Sequence, residues 1–360
     1  TMKIGLLTGG GDCPGLNAVI RAVTRCLIRQ CGAEVLGIQD GFAGLMECRT
    51  QPLTWENVGE LVGVGGTVLG TTNRRNPTDS EETIALAMNN VDKLGLDALV
   101  AIGGDGTLTI AHALAERGLK VVGVPKTIDN DIEGCERSFG FDTAVATVTD
   151  ALERVHTTGH SHGRIMIVET MGRHAGWIAL EAGIAGSANV ILLPEIDYDI
   201  GIVAAVCRRR QEHERFTLIC MGEGAKPLGG EITWDTPAPT DVGKRRLGGV
   251  AMRLRDQLQP LVGSEVRATV LGHVQRGGSP TPYDRVLSSQ YGVHAAELVA
   301  SGQFGRVVTL RQGALGSVAL SKVASQNRRI TANEPLLHTA RQLGVCLGDR
   351  DDTCQPCQHP

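Results

Sequence analysis

The chain has 360 residues, enough for one large or two ordinary domains with a substantial core. Hydrophobic residues make up 42% of it and charged residues 21%, and the formal net charge of −4 does not indicate a protein that binds nucleic acid or a membrane surface. No apolar run approaches the roughly 18 residues of a membrane span, and no targeting segment opens the sequence, so we expect a cytoplasmic protein.

Ten cysteines are scattered along the chain, and several of them fall inside helical or strand patterns. Reduced thiols are therefore favoured over a disulfide framework. Cys354, Cys357 and His359 would make half of a metal site. Because no second pair lies at a matching spacing, we interpret this stretch as a polar tail.

The first predicted element is a short apolar strand at residues 3–8, followed by a glycine-rich turn and a helix with one apolar face. A strand, a glycine turn and a helix in this order direct backbone N–H groups and a helix dipole at an anion. The glycine spacing of dinucleotide binders fails, because Pro14 stands in the third position when Gly9 and Gly11 fill the first two. A nicotinamide-dependent enzyme is therefore disfavoured.

A second glycine turn, Gly103-Gly104-Asp105-Gly106-Thr107, follows the buried strand predicted at 98–102. The charge of Asp105 would repel a phosphate, so we expect this carboxylate to hold a divalent cation that bridges to phosphate oxygens. Helix capping by Asp105 is the alternative. Between the two turns, a glycine-bounded segment brings in Arg74 and Arg75, either as phosphate ligands or as a solvated arginine pair.

The apolar run at 121–124 predicts a third buried strand, which Pro125 ends because proline cannot donate to a sheet ladder. The loop that follows, residues 126–131, places a lysine and two aspartates at the carboxyl end of this strand. Open α/β sheets keep their ligands at that end. Ordinary turn formation by Asp and Asn is the alternative.

Strands continue to alternate with helices along the rest of the chain. Strands are predicted at 164–168, 189–193, 216–221 and 268–272, and helices at 141–157, 249–258 and 283–300. This alternation predicts an α/β fold with parallel sheets. From about residue 326 onward the helical pattern is weak, and we expect a loosely ordered segment.

Six stretches resemble, in their order, the 6-phosphofructokinase family, whose members use ATP or pyrophosphate. They are G-G-D-C-P-G-L-N (10–17), G-G-D-G-T (103–107), P-K-T-I-D-N-D (125–131), M-G-R-H-A-G (171–176), R-A-T-V-L-G-H-V-Q-R-G-G-S-P (267–280) and P-Y-D-R (282–285). The resemblance implies two Rossmann-like three-layer domains with mostly parallel sheets and the active site in the cleft between them. We expect a nucleotide domain at 1–138 plus about 251–305, a sugar-phosphate domain at 139–250 plus about 306–325, and a C-terminal extension at 326–360.

The resemblance also implies a glycolytic reaction, the Mg²⁺-dependent transfer of a phosphoryl group from ATP to the 1-hydroxyl of fructose 6-phosphate. Asp129 would be the general base and Asp105 the Mg²⁺ ligand, and the other catalytic positions would be Gly11, Thr127 and Arg173. The donor would be held by Gly11, Arg74 or Arg75, Gly104, Asp105, Gly106 and Thr107. The sugar phosphate would be held by Thr127, Asp129, Arg164, Met171, Gly172, Arg173, Glu223, Arg267, His273 and Arg276.

Four of these sugar-phosphate positions, Arg164, Arg267, His273 and Arg276, match the clamp on the 6-phosphate in the family. Family members supply the first two from a neighbouring subunit, so we expect a homo-oligomer, dimer or tetramer, with shared active sites. Arg21, Arg25 and Arg154 fall where allosteric members bind an effector phosphate. Solvated helix arginines are the alternative for these three.

Gly106 and Lys126 give a mixed signature for the phosphoryl donor. Pyrophosphate-using relatives carry Asp at the position of Gly106, where a carboxylate would repel the α-phosphate of a nucleotide, and they also carry the lysine. ATP is favoured, because a carboxylate is an electrostatic block whereas a lysine can lie beside either donor. The alternatives are a pyrophosphate-dependent enzyme, a non-catalytic sugar-phosphate-binding paralogue, and a lipid or NAD kinase that shares the Gly-Gly-Asp-Gly turn.

Overall fold

The structure is a computed structural model that describes residues 1–213, 216–233, 248–324 and 327–351. The chain divides into two compact units. The first unit comprises Thr1–Thr143 and Arg276–Arg328, and the second comprises Ala144–Gln275 and the described part of Arg329–Pro360. Among the described residues, no helix is both long enough and apolar enough to cross a membrane.

Eleven strands and eleven α-helices are described. The strands are β1 (Lys3–Thr8), β2 (Glu34–Ile38), β3 (Thr50–Leu53), β4 (Ala98–Gly103), β5 (Val121–Pro125), β6 (Ile165–Thr170), β7 (Val190–Leu192), β8 (Thr217–Gly222), β9 (Val266–Val270), β10 (Arg306–Arg311) and β11 (Ala314–Ala319). The helices are α1 (Leu16–Cys31), α2 (Phe42–Glu47), α3 (Glu81–Leu94), α4 (Asp105–Glu116), α5 (Phe141–His162), α6 (Trp177–Ala185), α7 (Ile200–His213), α8 (Val250–Leu258), α9 (Pro282–Ala300), α10 (Leu320–Val323) and α11 (Pro335–Gln342).

The first unit is built on a seven-stranded sheet in the order β11-β10-β5-β4-β1-β2-β3. Its central strands run parallel, and the edge strands β3 and β11 pair antiparallel with their neighbours. Thr8 pairs with Ile102, and Gly103 pairs with Pro125. This register brings the carboxyl ends of β1, β4 and β5 to one edge of the sheet, which is the edge where the three predicted loops begin.

The interior of the first unit follows from the apolar runs in the sequence. All six residues of β4 are buried, as expected for a central parallel strand that is covered on both faces. Helix α9 packs closely on α1 because Gly292 has no side chain, and a Cβ there would lie 2.6 Å from the Ala22 Cβ. At the start of α3, Ser80 and Thr83 form a reciprocal capping box that satisfies two otherwise unpaired N–H groups.

The second unit is built on a parallel four-stranded sheet in the order β7-β8-β6-β9. Buried residues of its strands and of α7 and α8 form one apolar core that also includes Cys346. The backbone around Cys346 lies beside β7, where its N–H donates to the Asn189 carbonyl at 3.0 Å and its carbonyl accepts from the Ile191 N–H at 2.9 Å. Residues 329–351 are therefore part of this unit.

The α/β class with mostly parallel sheets is confirmed, but three expected segment assignments differ from the structure. Strand β9, expected with the nucleotide domain, pairs with β6 in the second sheet. Strands β10 and β11, expected with the sugar-phosphate domain, join the first sheet through β5. Residues 329–351 are ordered, because a few buried anchors such as Ile330, Leu337 and Leu347 hold an otherwise polar stretch. The predicted tail cysteines, 354 and 357, lie outside the described residues.

Candidate active site

The first glycine turn, between β1 and α1, has three successive carbonyls held by side chains from distant segments. The hydroxyl of Thr71 donates to the Gly10 carbonyl at 2.6 Å, and the Lys126 ammonium donates to the Gly11 carbonyl. The Arg276 guanidinium lies 3.3 Å from the Asp12 carbonyl. In a trans peptide the C=O and the following N–H point in opposite directions. The N–H groups that follow these carbonyls, those of Gly11, Asp12 and Cys13, therefore point away from the three side chains.

The second glycine turn is packed directly against the first. The side chain of Thr107 is buried and fills the space beside Gly9 and Gly103, where a Cβ on either glycine would collide with it. Glycine is thus required at both positions by the close approach of the two turns. Since its side chain is used in packing, Thr107 can offer a ligand only its backbone N–H.

Helix α4 begins at this second turn, and its first hydrogen bond runs from Leu108 N–H to the Gly104 carbonyl at 3.0 Å. The N–H groups of Asp105, Gly106 and Thr107 precede this bond and have no acceptor within the helix. Together with the helix dipole they form a site for a phosphate. A Cβ on Gly106 would meet no atom within 4 Å, so this position faces open space.

The third loop lies next to the second turn, because Lys126 N–H donates to the Gly103 carbonyl at 2.8 Å. Asp129 is half-buried, and its N–H donates to the Thr127 hydroxyl at 3.1 Å. Asn130 has a left-handed backbone with φ of 52°, and its side-chain oxygen accepts from the Ser138 N–H at 2.9 Å. The loop is thus held in one conformation, with its backbone next to the turn that carries Asp105.

Lys126 is buried at 3% exposure, and burial lowers the pKa of its ammonium. Its hydrogen bond to the Gly11 carbonyl ties the third loop to the first turn. Sequence reasoning assigned this lysine to donor specificity. In the structure this hydrogen bond also helps to fix the conformation of the first glycine turn.

Arg74 and Arg75 differ in their contacts. Arg75 pairs with Glu47, and hydrogen bonds from Arg49 and Arg75 lower the pKa of the Glu47 carboxyl. Arg74 is exposed, and within the described ranges its guanidinium forms no ion pair. Of the two arginines, Arg74 is therefore the one that is available to a ligand.

The donor set of the first unit fits magnesium bound together with phosphate. Within the part of the chain that the structure describes, no group of three or more His, Cys, Asp or Glu side chains is arranged to hold a metal ion. Mg²⁺ usually keeps several waters and is held by one or two carboxylates plus substrate phosphates. Asp105 lies in the first turn of α4, beside the backbone N–H groups that form the phosphate site. Its carboxylate therefore suits that mode of binding.

The second unit has a pocket of about 460 Å³ at the carboxyl ends of its strands. Three predicted sugar-phosphate residues line it: Met171, Glu223 and His273. Predicted residues Gly172 and Arg173 directly follow Met171 in the same loop. The pocket therefore brings together residues from three stretches that are fifty or more positions apart along the chain.

The loops around this pocket are tied to each other. Gln275 accepts from the Met171 N–H at 3.1 Å and donates to the Gly272 carbonyl at 3.0 Å. Gly224 N–H donates to the Gly172 carbonyl at 3.3 Å. Gly172 has a φ of 126°, a backbone conformation that favours glycine. Because glycine is conformationally free, hydrogen bonds from outside the loop are needed to hold the loop in one conformation.

Comparison with known proteins identifies the family of this chain. Residues 3–299 match the family model described as Phosphofructokinase. The chain belongs to the phosphofructokinase family. An ATP-dependent 6-phosphofructokinase 2 of Clostridium perfringens is 46% identical over 96% of this chain and 98% of its own length. A pyrophosphate–fructose 6-phosphate 1-phosphotransferase of Amycolatopsis methanolica is also 46% identical, over 91% of this chain and 95% of its own.

Solved structures of phosphofructokinases share the fold. The T-state structure of Pichia pastoris phosphofructokinase matches with a TM-score of 0.79 and 31% identity over 89% of this chain. The match covers 35% of the Pichia chain, which is much longer. The α/β architecture described above is thus the phosphofructokinase fold.

Three of the arginines that the family resemblance assigned to the 6-phosphate clamp do not lie at the pocket of the second unit. Arg164 and Arg267 stand near the amino ends of β6 and β9, and both pair with Glu265. Parallel strands place them at the opposite edge of the sheet from Met171 and His273. Arg276 belongs to the first unit, where it contacts the first glycine turn, since it leads directly into α9.

Sequence reasoning missed two parts of the pocket in this phosphofructokinase. Glu169 is 2% exposed, and its carboxylate accepts from the Ala251 N–H at 2.9 Å, which caps the start of α8. Gly249, the N-cap of α8, and Met252 within that helix also line the pocket. The signal was present, because Gly248-Gly249 before an apolar helix is the same kind of cue as the other two glycine turns.

Proposed function

We propose that this chain is a 6-phosphofructokinase that transfers the terminal phosphoryl group of ATP to the 1-hydroxyl of fructose 6-phosphate with Mg²⁺. One observation carries the proposal: the pairing of Gly103 with Pro125 sets the turn of Asp105 and the loop of Asp129 on neighbouring strands. A metal-binding carboxylate and a proton-accepting carboxylate must both reach one phosphoryl group, and loops that leave neighbouring strands at the same edge of a sheet allow this.

In the proposed reaction the two glycine turns bind the donor phosphates through backbone N–H groups. Mg²⁺ held through Asp105 would neutralise charge on the phosphate oxygens, and Arg74 would place a further positive charge beside the transferred group. Asp129 accepts the proton of the sugar hydroxyl, which is lost late in a loose transition state. Met171, Gly172, Arg173, Glu223 and His273 would hold the sugar phosphate.

We propose ATP as the donor rather than pyrophosphate. Identity does not decide, because relatives named for each donor are 46% identical to this chain. Gly106 faces open space and bears no carboxylate, so nothing at this position repels an α-phosphate. Lys126 is engaged with the Gly11 carbonyl, a structural contact that is compatible with either donor.

The same proposal includes a homo-oligomer in which Arg164 and Arg267 reach a neighbouring active site. Their position at the amino ends of β6 and β9, away from the pocket of their own unit, supports it. We also propose a cytoplasmic location, which is supported by the free thiols of all eight described cysteines.

Control by an effector stays a prediction. Arg21 and Arg25 donate to the carbonyls of Gly59 and Trp55, whereas Arg154 pairs with Asp150 one turn earlier in α5. The contact of Arg154 is the one expected for a solvated helix arginine.

Turnover of fructose 6-phosphate with ATP and with pyrophosphate tests the proposal, using the parent chain and Asp129→Ser. We expect ATP to be the better donor, and loss of the general base to lower kcat by about 100- to 10,000-fold. Asp92→Ser, at an exposed position on α3, is the matched control and should leave kcat within about twofold. A parent that does not phosphorylate fructose 6-phosphate, or a fully active Asp129→Ser variant, would refute the proposal. A preference for pyrophosphate would establish the second candidate, a pyrophosphate-dependent enzyme like the one that the Amycolatopsis relative is named for.

A further inference from the structure

The C-terminal segment of the second unit, residues 329–351, contacts the loop that carries the predicted sugar-binding residues. The guanidinium of Arg329 donates to the His174 carbonyl at 3.0 Å. The next residue, Ile330, is buried and donates its N–H to the Glu195 carboxylate at 3.0 Å. This segment lies beyond residues 3–299, which match the family model.

Glu195 is the junction between this segment and the loop. It follows β7 at the carboxyl end of the sheet, and its carboxylate accepts from the Gly176 N–H at 3.1 Å and 3.2 Å. Gly176 is the N-cap of α6 and has no side chain to cap that helix itself. A carboxylate at a helix N-terminus is stabilised by the helix dipole. One side chain thus joins the start of α6 to the backbone of Ile330.

The electrostatics of Glu195 show why these contacts matter. Burial raises the pKa of its carboxyl, and the N–H groups of Ile330 and Gly176 and the nearby Arg329 guanidinium act against that rise. Without these donors, nothing would offset the unfavourable free energy of removing the half-buried carboxylate from water. The position of the carboxylate is therefore fixed by the groups on either side of it.

The loop at 171–176 is held at two ends. Gln275 and Gly224 fix its beginning through Met171 and Gly172. Glu195 and Arg329 fix its end through Gly176 and His174. Arg173 lies between these two sets of ties, so the conformation that it adopts depends on both.

We propose that Glu195 and Arg329 are positioning residues for the sugar phosphate. Through these two side chains the C-terminal segment sets how tightly the 171–176 loop binds the sugar phosphate. The inference rests on the proposed function, since it concerns the sugar half of that site. A purely stabilising role is the competing explanation, because buried anchors such as Leu337 and Leu347 also hold the segment to the unit. The two explanations differ in what happens to KM.

Steady-state kinetics of Glu195→Ala, Glu195→Gln and Arg329→Ala test the proposal. We expect Glu195→Ala to raise KM for fructose 6-phosphate by about tenfold and Arg329→Ala by about threefold, with KM for ATP within about twofold of the parent. Glu195→Gln keeps the oxygen that both N–H groups share, so it should recover most of the affinity. Asp197→Ala and His338→Ala remove nearby polar side chains without touching the loop, and should leave both KM values unchanged.

Equal KM for fructose 6-phosphate in the parent, Glu195→Ala and Arg329→Ala, with only the melting temperature lowered, would overturn the inference. So would a parallel rise in KM for ATP. Should Glu195→Ala fail to fold, Arg329→Ala carries the same comparison.

Hydrogen exchange separates this inference from the proposed function, because it needs no turnover. In Glu195→Ala the amides of Gly176 and Ile330 should exchange at least about tenfold faster than in the parent, while the amides of β6 keep their protection. A parent without phosphofructokinase activity but with this exchange pattern would refute the proposed function and leave the tie between segment and loop established. Unchanged exchange at both amides would refute the tie itself.

Discussion

The first glycine turn and the 171–176 loop, one in each unit, are held largely through opposite ends of the peptide group, although Arg329 also donates to the His174 carbonyl in the second unit. In the first unit, side-chain donors bind backbone carbonyls: Thr71, Lys126 and Arg276 hold three successive carbonyls of the first glycine turn. In the second unit, side-chain acceptors bind backbone N–H groups, with Gln275 on Met171 and Glu195 on Gly176.

This difference decides what each unit can recognise. Where carbonyls are taken, N–H groups remain for an anion, which suits the phosphates of a donor. Where N–H groups are taken, recognition passes to side chains, and Arg173, Glu223 and His273 are of the types that bind hydroxyl groups and a sugar phosphate. In the proposed site, the donor half would thus rely mainly on backbone N–H groups, with Asp105 and Arg74 as its side chains, and the sugar half would rely on side chains.

Adding a carboxylate to the backbone half should have the largest effect. Gly106→Asp puts a negative charge into open space at the start of α4, so the fold should be kept. Two like charges at about 4 Å and an effective dielectric of 20 repel by roughly 4 kcal/mol, so kcat/KM for ATP should fall by about 100-fold or more. The measurement is the ratio of kcat/KM with ATP to that with pyrophosphate.

Gly106→Ala is the control for this variant, because it adds the Cβ without the charge. It should change the donor ratio by less than about threefold. An unchanged ratio in Gly106→Asp would show that the N–H groups of α4 do not face the α-phosphate.

Breaking a tie in the side-chain half should have a smaller and more selective effect. Gln275→Ala removes the acceptor for Met171 N–H, so KM for fructose 6-phosphate should rise by about five- to tenfold while KM for ATP stays within about twofold. Gln275→Glu keeps the acceptor oxygen and should recover part of the loss. A rise in both KM values would contradict the separation of the two halves.

Much of the backbone half could be predicted from the sequence. A glycine turn after an apolar run, with Asp105 inside it, is visible locally, and so is the loop that begins at Pro125. The close packing of Thr107 on Gly9 and Gly103 follows from the short spacing of those turns in a parallel sheet.

The side-chain half was only partly predictable, because its ties join distant positions. Nothing in the local pattern pairs Glu195 with Gly176, or Gln275 with Met171. The strands β9 and β10 were assigned to the wrong units for the same reason. Which strand each of them pairs with is decided by tertiary contacts, and these are not visible in the local sequence pattern. The C-terminal segment was predicted to be loosely ordered because it has few apolar residues that could be buried. A helical periodicity can be recognised only when such residues recur at regular spacing.

Asp284 is an exception in the first unit, since its carboxylate accepts from the N–H and the hydroxyl of Thr143 at 2.8 Å and 2.6 Å. It is fully buried and joins the start of α9 to the start of α5. Burial raises the pKa of this carboxyl from 3.8 to about 6, and the hydrogen bonds from Thr143 oppose the rise, whereas the charge of Asp142 adds to it. Between pH 3.8 and about pH 6 the folded state therefore keeps a proton on Asp284 that the unfolded chain has already released.

The sign of the pH effect follows from that difference in bound protons. The contribution of Asp284 to the free energy of unfolding is largest below pH 3.8 and is lost as the pH rises through about 6. Between about pH 5 and pH 8 the parent should lose on the order of 1 kcal/mol that Asp284→Asn does not lose. Urea unfolding of both proteins across this range measures the difference, and Asp92→Asn should track the parent. A constant difference between the parent and Asp284→Asn would mean that Asp284 is ionised in the fold, and that the first unit uses charged acceptors on N–H groups as freely as the second.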